Sequence, residues 1–70
     1  MNAKVFITDR KEEAVQITQM LYEHDIHSEI QEEELFLENG SSIQGFAIIT
    51  SLENENTAFT LIDDYLQSNS

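Results

Sequence analysis

The sequence contains no cysteine, which excludes disulfide bonds and thiolate metal sites. The chain has 70 residues, and a domain of that size buries only about 60% of the surface that its unfolded chain exposes. Domains with so limited a core are commonly stabilised by disulfides, metals or oligomerisation. We therefore expect residues 1–70 to form one small domain that associates with further chains.

Long apolar runs and clustered glycines are also missing. No apolar segment approaches the roughly 20 residues of a membrane span. The opening stretch, MNAKVFITDRK, lacks the apolar core and cleavage pattern of a signal peptide. A phosphate-binding loop needs several glycines close together, and Gly40 and Gly45 are the only two in the chain. These absences predict a cytoplasmic, bacterial-type protein without a membrane partner.

Positive charge is scarce and confined to one end of the chain. Lys4, Arg10 and Lys11 are the only Lys or Arg residues, and the net charge is −11. Such a surface repels nucleic acid and anionic membranes, and it would suit a basic protein partner. An acidic surface can also serve only to keep a protein soluble. Both interpretations, a basic partner and solubility alone, therefore stay open.

Hydrophobic periodicity predicts four extended segments and two amphipathic helices. The most apolar extended segment, GFAIITS, is apolar on both faces of its pleat, as is typical of a central strand. In the second segment, Ile26, Ser28 and Ile30 share the predicted buried face. The predicted strands cover residues 3–8, 26–31, 35–38 and 45–51, and the predicted helices cover residues 10–24 and 53–67.

Local signals mark three of the boundaries. Asp9, followed three residues later by Glu12, is a variant of the capping box at a helix start. The dipeptide Asn39-Gly40 favours a hairpin with a type I′ turn, which needs positive φ at both residues. Gly45, at the start of the last predicted strand, indicates a β-bulge.

A weak internal repeat relates two β-α units of the chain. The run VFIT is followed by an apolar helical pattern that begins at Ala14, and the run AIIT by the same pattern from Ala58. The repeat predicts two helices side by side on one face of one sheet. The predicted fold class is therefore α+β in the order β-α-β-β-β-α, a ferredoxin-like sheet that lacks its final strand.

Five pieces of the sequence carry a resemblance to a known family: VFITD, Glu13-Ala14, MLYEHDIHSEIQEEE, FAIITSLEN, and Ala58 with LIDDYL. With these pieces the chain resembles a family of small prokaryotic signal-transducing proteins, a domain of unknown function likened to half of a PII-type regulator. The chain departs from the family pattern at Asp25, where a glycine often precedes the isoleucine. The resemblance implies a regulatory or binding role, and it implies no particular ligand or functional residue.

The acidic run Glu32, Glu33 and Glu34 is the first candidate for a metal site or a catalytic carboxylate pair. Adjacent side chains of a strand point to opposite faces, so these three carboxylates cannot converge on one ion. A calcium loop would also need ligands at alternate positions and a glycine in the turn. We interpret the run as a charged connector that keeps residues 35–37 from edge-to-edge pairing.

His24 and His27 are the other candidates for metal chemistry. Their spacing of three would suit a helix face, but the predicted helix ends near residue 24 and separates them. His27 and Glu29 share a strand face, where zinc or nickel could bind. The alternative is that His24 lies near the C-terminus of the helix, where the helix dipole stabilises a partial positive charge on the side chain. Neither histidine lies near a serine in a recognisable context, so we predict no catalytic residue, no cofactor and no tight metal site.

The predicted faces locate a candidate interaction surface. The residues predicted to face the helices are Val5, Ile7, Ile26, Ile30, Ala47 and Ile49. The opposite face then carries Phe6, Phe46 and Ile48, with Phe36 beside them, and an apolar patch on an open sheet is unusual in a monomer. This pattern favours a homodimer or higher oligomer.

The leading hypothesis is a non-catalytic regulatory or adaptor module that acts through protein–protein interaction. The alternatives are a small-molecule sensor with its ligand between subunits, an acidic decoy that occupies a DNA-binding or otherwise basic protein, and a small enzyme subunit.

Overall fold

Three antiparallel strands form one sheet, and both α-helices pack on the same face of it. The computed structural model describes residues 1–68. Its elements are β1 (Asn2–Thr8), α1 (Lys11–Glu23), β2 (Ser28–Phe36), β3 (Ser42–Ser51), a 3₁₀ turn (Leu52–Asn54) and α2 (Glu55–Ser68). The strands lie in the order β1-β3-β2. The predicted fold class is thereby confirmed: α+β, with a ferredoxin-like sheet that has no fourth strand within residues 1–68.

The runs 26–31 and 35–38, predicted as two strands, contribute to the single strand β2. The three glutamates between them are strand residues that pair with residues 44–46 of β3. No glycine, proline, asparagine or aspartate interrupts residues 28–36, so the backbone can stay extended throughout. Pairing with β3 therefore outweighs the low intrinsic strand preference of glutamate.

A β-bulge in β1 decides which side chains face the helices. The register of β1 against β3 shifts between Lys4 and Phe6, so Val5 is the extra residue. Val5 is buried in the core and its neighbour Phe6 packs against the same core. Two consecutive residues of β1 thus point to the helical side, and the simple alternation of the strand is interrupted.

The bulge overturns part of the predicted face assignment. Ile7, Ala47 and Ile49 share one face as expected, but it is the face away from the helices. Phe46 and Ile48, expected on the outer face, are 8% and 0% exposed within the core. The outward prediction for these two residues is wrong. In the unshifted pairing with β2, Ile48 lies opposite Ile30, so Phe46 and Ile48 share the face of Ile30 that the helices cover.

The helices meet the sheet through the apolar stripes that the sequence predicts. Ala14, Ile17 and Leu21 of α1 are fully buried. Ala58 and Ile62 of α2 are buried in the same cluster. The core therefore lies between the helix pair and one face of the sheet.

The C-terminus of α1 forms a Schellman motif with an aspartate at its left-handed position. The amide of Ile26 donates to the carbonyl of Leu21 at 2.9 Å, and the amide of Asp25 donates to that of Tyr22 at 3.0 Å. Asp25 has φ of 64°, a conformation that favours glycine. Ile26 and Leu21 are both buried, so the motif also fixes the entry into β2.

The N-terminus of α1 begins differently from the prediction. The N-cap is Arg10 without a side-chain cap hydrogen bond, so the capping box of Asp9 and Glu12 does not form. The hydroxyl of Thr8 donates to Glu13 Oε1 at 2.6 Å and accepts from the amide of Arg10 at 3.1 Å. Because Thr8 is buried at the end of β1, it links the strand to the first turn of the helix.

The hairpin between β2 and β3 lies at Asn39-Gly40 as predicted, but its turn is not of type I′. Among residues 1–68, Asp25 is the only residue other than glycine with positive φ, so Asn39 lacks the required conformation. Gly40 has φ of 88° and its amide donates to the carbonyl of Leu37 at 3.0 Å. This is a three-residue loop in which a left-handed glycine follows a type I turn. The Asn39 side chain accepts from the Ser41 amide at 3.0 Å, which favours this turn.

Gly45 marks a close approach between side chain and backbone, and the predicted bulge does not lie there. The pairing of β2 with β3 runs through Gly45 without a register shift. A Cβ atom at this position would lie 2.6 Å from Cγ of Leu35. The leucine side chain therefore covers the backbone where a larger residue would project.

Candidate functional site: the open sheet face and its edges

The four residues predicted as an interaction surface are not brought together on one exposed patch. Phe46 and Ile48 lie under the helices, and Phe6 is half-buried against the same core. Phe36 is the exception, since it is 77% exposed near the end of β2 that leads into the hairpin loop. The outward face of the sheet carries other side chains instead.

The open face of the sheet combines apolar side chains with an ion pair. Ile7, Ala47 and Ile49 lie on this face. Lys4 Nζ and Glu33 Oε1 are 2.7 Å apart, although their strands are separated by β3. Lys4 lies opposite Ile49 and Glu33 opposite Gly45, so the ion pair spans the central strand at the row of Ala47. Ala47 is completely buried, and the open face is therefore a partly covered surface.

The acidic run divides between the two faces of β2, as the alternation argument predicts. Glu33 points to the open face with Lys4, and Glu32 and Glu34 point to the other face, where both are exposed. Within residues 1–68, no three His, Asp or Glu side chains are grouped closely enough to hold a metal ion. These carboxylates place negative charge along β2, a border strand of the sheet.

Replacing Glu32 and Glu34 together by glutamine is expected to raise the free energy of unfolding slightly, by about 0.5 kcal/mol, because it reduces repulsion in a highly acidic chain. The matched control is E33Q, the same chemical change on the neighbouring residue. It removes the ion pair with Lys4, so we expect no gain or a small loss. Urea unfolding of the variants measures the difference, and a double variant that unfolds outright would contradict the assignment of both carboxylates to solvent.

Tyr22 and His27 border a shallow groove between the end of α1 and the start of β2. Their rings meet edge to face with centroids 5.5 Å apart. The residues that line the groove are Thr18, Gln19, Tyr22, Glu23, His27 and Ser28. Ser28 Oγ is buried and has no hydrogen-bond partner among the described residues, so it is not paired with His27. The groove thus lacks the hydrogen-bonded nucleophile and base that acyl transfer would need.

An exposed apolar stripe runs from the 3₁₀ turn along α2, and it is not among the surfaces predicted from the sequence. Leu52, Phe59 and Leu66 follow one another at intervals of seven residues. All three are exposed, Phe59 to 45%. The spacing of seven residues is a sequence signal for such a stripe, because it returns to nearly the same side of a helix. We call these three residues the outer stripe.

Comparison with known proteins does not assign the chain. It matches no protein-family model, and no curated protein or solved structure matches it. The resemblance to the small signal-transducing proteins therefore stays a prediction. Neither helix of the described part of the chain has the length and apolar character that crossing a bilayer requires.

Proposed function

We propose that the protein is a non-catalytic regulatory or adaptor module that acts through protein–protein contacts and is itself a homodimer. The observation that carries the proposal is the exposed outer stripe of α2, on a helix that packs against a strand at the border of the sheet. Apolar side chains at regular spacing beside an open sheet border are typical of a surface that is covered in the assembled state. The resemblance to regulatory domains is consistent with this role.

The polar side chains support binding over catalysis. The clearest pairs of polar residues, Lys4 with Glu33 and Thr8 with Glu13, hold one element of the fold to another. A catalytic constellation would instead direct a nucleophile and a base into a shared cavity. The features of this surface that a partner could recognise are the outer stripe and the negative charge.

Sedimentation equilibrium between about 1 and 300 μM tests the homodimer, and capture from the native cell followed by mass spectrometry tests the adaptor role. We expect self-association in the micromolar range together with a reproducible protein partner. A chain that stays monomeric throughout would overturn the homodimer. Turnover of a co-purified small molecule by the pure protein would overturn the non-catalytic role. A metabolite that co-purifies unchanged with the dimer would favour a sensor with its ligand between subunits.

A second candidate function, an acidic decoy for a basic protein, is favoured by the surface of β2. Glu32 and Glu34 are exposed on the same face of this strand as the exposed ring of Phe36, and Glu29 is exposed on the other face. Acidic groups around an apolar anchor would suit a basic partner. A partner whose capture is lost in 0.5 M salt and in an E29Q/E32Q/E34Q variant would identify this function, whereas a partner insensitive to both would contradict it.

A further inference from the structure

The two outer strands of the sheet differ in how their free edges are protected. β2 carries Glu29 and the run of three glutamates, and such charges discourage pairing with another strand. β1 contains a single charged residue, Lys4, and this residue is held by Glu33. β3 occupies one side of β1, and the other side has no partner strand within residues 1–68. The edge of β1 is therefore the one that is open to another strand.

Two residues of the outer stripe, Phe59 and Leu66, lie on the flank of α2 above this open edge. Tyr65 of α2 donates a hydrogen bond to Gln16 of α1, so its side of α2 faces α1. At about 100° per residue, Phe59 and Leu66 lie roughly 100–120° around the helix from Tyr65, on the flank away from α1. Because α2 packs on the border strand β1, that flank overhangs the free edge. The amide of Leu52 donates to the carbonyl of Met1 at 2.9 Å, which places Leu52 level with the start of β1, on the side of the strand that faces β3.

The edge and the stripe have matching lengths and a common midpoint. The seven residues of β1 extend over about 23 Å, and the interval from Leu52 to Leu66, a 3₁₀ turn followed by the helix, extends over about 22 Å. Val5 is the central residue of β1, and Phe59 is the central residue of the stripe. A twofold axis perpendicular to the strands near these two residues would superimpose both features on themselves.

We propose that the edge of β1 pairs antiparallel with β1 of a second copy, so that Phe59 meets Phe59 of that copy at the twofold axis. The two sheets then form one sheet of six strands. This inference rests on the proposed homodimer and specifies its interface. One symmetric contact then pairs the free β1 edges of the two copies with each other and covers the outer stripe of each copy.

The charge distribution favours a second copy in this arrangement despite the net charge of −11 on each chain. The glutamate-rich β2 strands would lie at the two outer borders of the joined sheet. Five strand spacings of about 4.8 Å separate them by roughly 24 Å, beyond a Debye length of about 8 Å at physiological ionic strength. The repulsion that remains comes mainly from α2, so added salt is expected to strengthen the dimer.

The expected affinity is micromolar. A contact about 23 Å long across one strand layer and one helix layer covers roughly 500 Å² per copy, below the roughly 800 Å² of a standard interface. The bulge at Val5 increases the local twist of β1 and shortens the ladder that a second copy can form. Both features weaken the contact without changing its symmetry.

Charge changes at residue 59 provide the sharpest test. F59E alone and F59K alone should each raise the dimer dissociation constant at least about 30-fold, because like charges then meet at the axis. An equimolar mixture of F59E and F59K should associate again as a heterodimer. The matched control is V15E, a change at the position of α1 that corresponds to Phe59 in the internal repeat and is 37% exposed. V15E should dimerise like the unaltered protein.

Amide hydrogen exchange of the unaltered protein at about 5 and 500 μM tests the strand pairing. The amides of β1 that point away from β3 should become protected at the higher concentration, and those of β2 should not. A dimer that persists in F59E and F59K would overturn this interface and leave the homodimer intact. A monomeric unaltered protein would overturn both. Association of the unaltered protein without rescue in the mixture would show that residue 59 does not meet itself.

Discussion

Replacing Ile48 by alanine is expected to lower the free energy of unfolding by about 2–4 kcal/mol, because Ile48 is fully buried between the sheet and the helices. A domain of this size has a total stability of roughly 4–10 kcal/mol. The I48A variant should therefore lose at least about a fifth of it, with a fall in melting temperature of roughly 10–30 °C. Thermal and urea unfolding followed by circular dichroism, at one concentration below the range of self-association, measure the effect.

The neighbouring substitution I49A is the control for this prediction. Ile49 undergoes the same chemical change, but it is half-buried on the open face and lies opposite Lys4 and Glu29. We expect a loss of about 1 kcal/mol, since less apolar surface leaves water there on folding. The face assignment predicted from the sequence gives the opposite order, so a larger loss for I49A than for I48A would contradict the placement of Ile48 on the face of β3 that the helices cover.

Replacing Asp25 by glycine is expected to raise the free energy of unfolding by about 1 kcal/mol. Asp25 occupies the left-handed position of the Schellman motif, with φ of 64°, and an L-residue in that conformation costs roughly 1 kcal/mol relative to glycine. Its carboxylate also lies at the negative end of the α1 dipole. D25G removes both penalties, and the melting temperature should rise by roughly 4–8 °C.

Two further variants at this position separate conformation from charge. D25N keeps a residue that tolerates the left-handed region and removes only the charge, so it should give about half of the gain. D25A removes the charge but keeps the strain of the left-handed conformation, and alanine has no polar side chain that could hydrogen-bond locally. We therefore expect D25A to show none of the gain in stability. A destabilised D25G protein would contradict the backbone conformation assigned to Asp25.

The sequence predicts this fold well where one local rule decides the outcome. The apolar stripe of α1, from Ala14 to Leu21, follows from a helical period alone, and the structure buries it as expected. The hairpin position follows from Asn39-Gly40 for the same reason. The sequence predicts these features because neighbouring residues determine them.

The sequence does not determine in the same way which side chains of each strand point toward the helices. A single extra residue at Val5 reverses the side on which Ile7 lies, and the apolar run of β1 has no glycine that would announce a bulge. The bulge is visible only in the register with β3, which is a long-range property. The faces of Phe46 and Ile48 likewise depend on the pairing of β3 with β2, and the exposure of the outer stripe depends on how α2 packs on the sheet.

Within its own chain, β1 pairs with a strand that lies far along the sequence. Asn2 pairs with Ser51, and Thr8 pairs with Phe46. During synthesis at about 5–20 residues per second, the roughly 50 residues between Asn2 and Ser51 take about 2–10 s to add. β2 and β3, joined by a short loop, can close within microseconds once both are made. The apolar segment VFIT of β1 therefore remains without its partner strand for seconds during synthesis. This time is long enough for a chaperone to bind the segment.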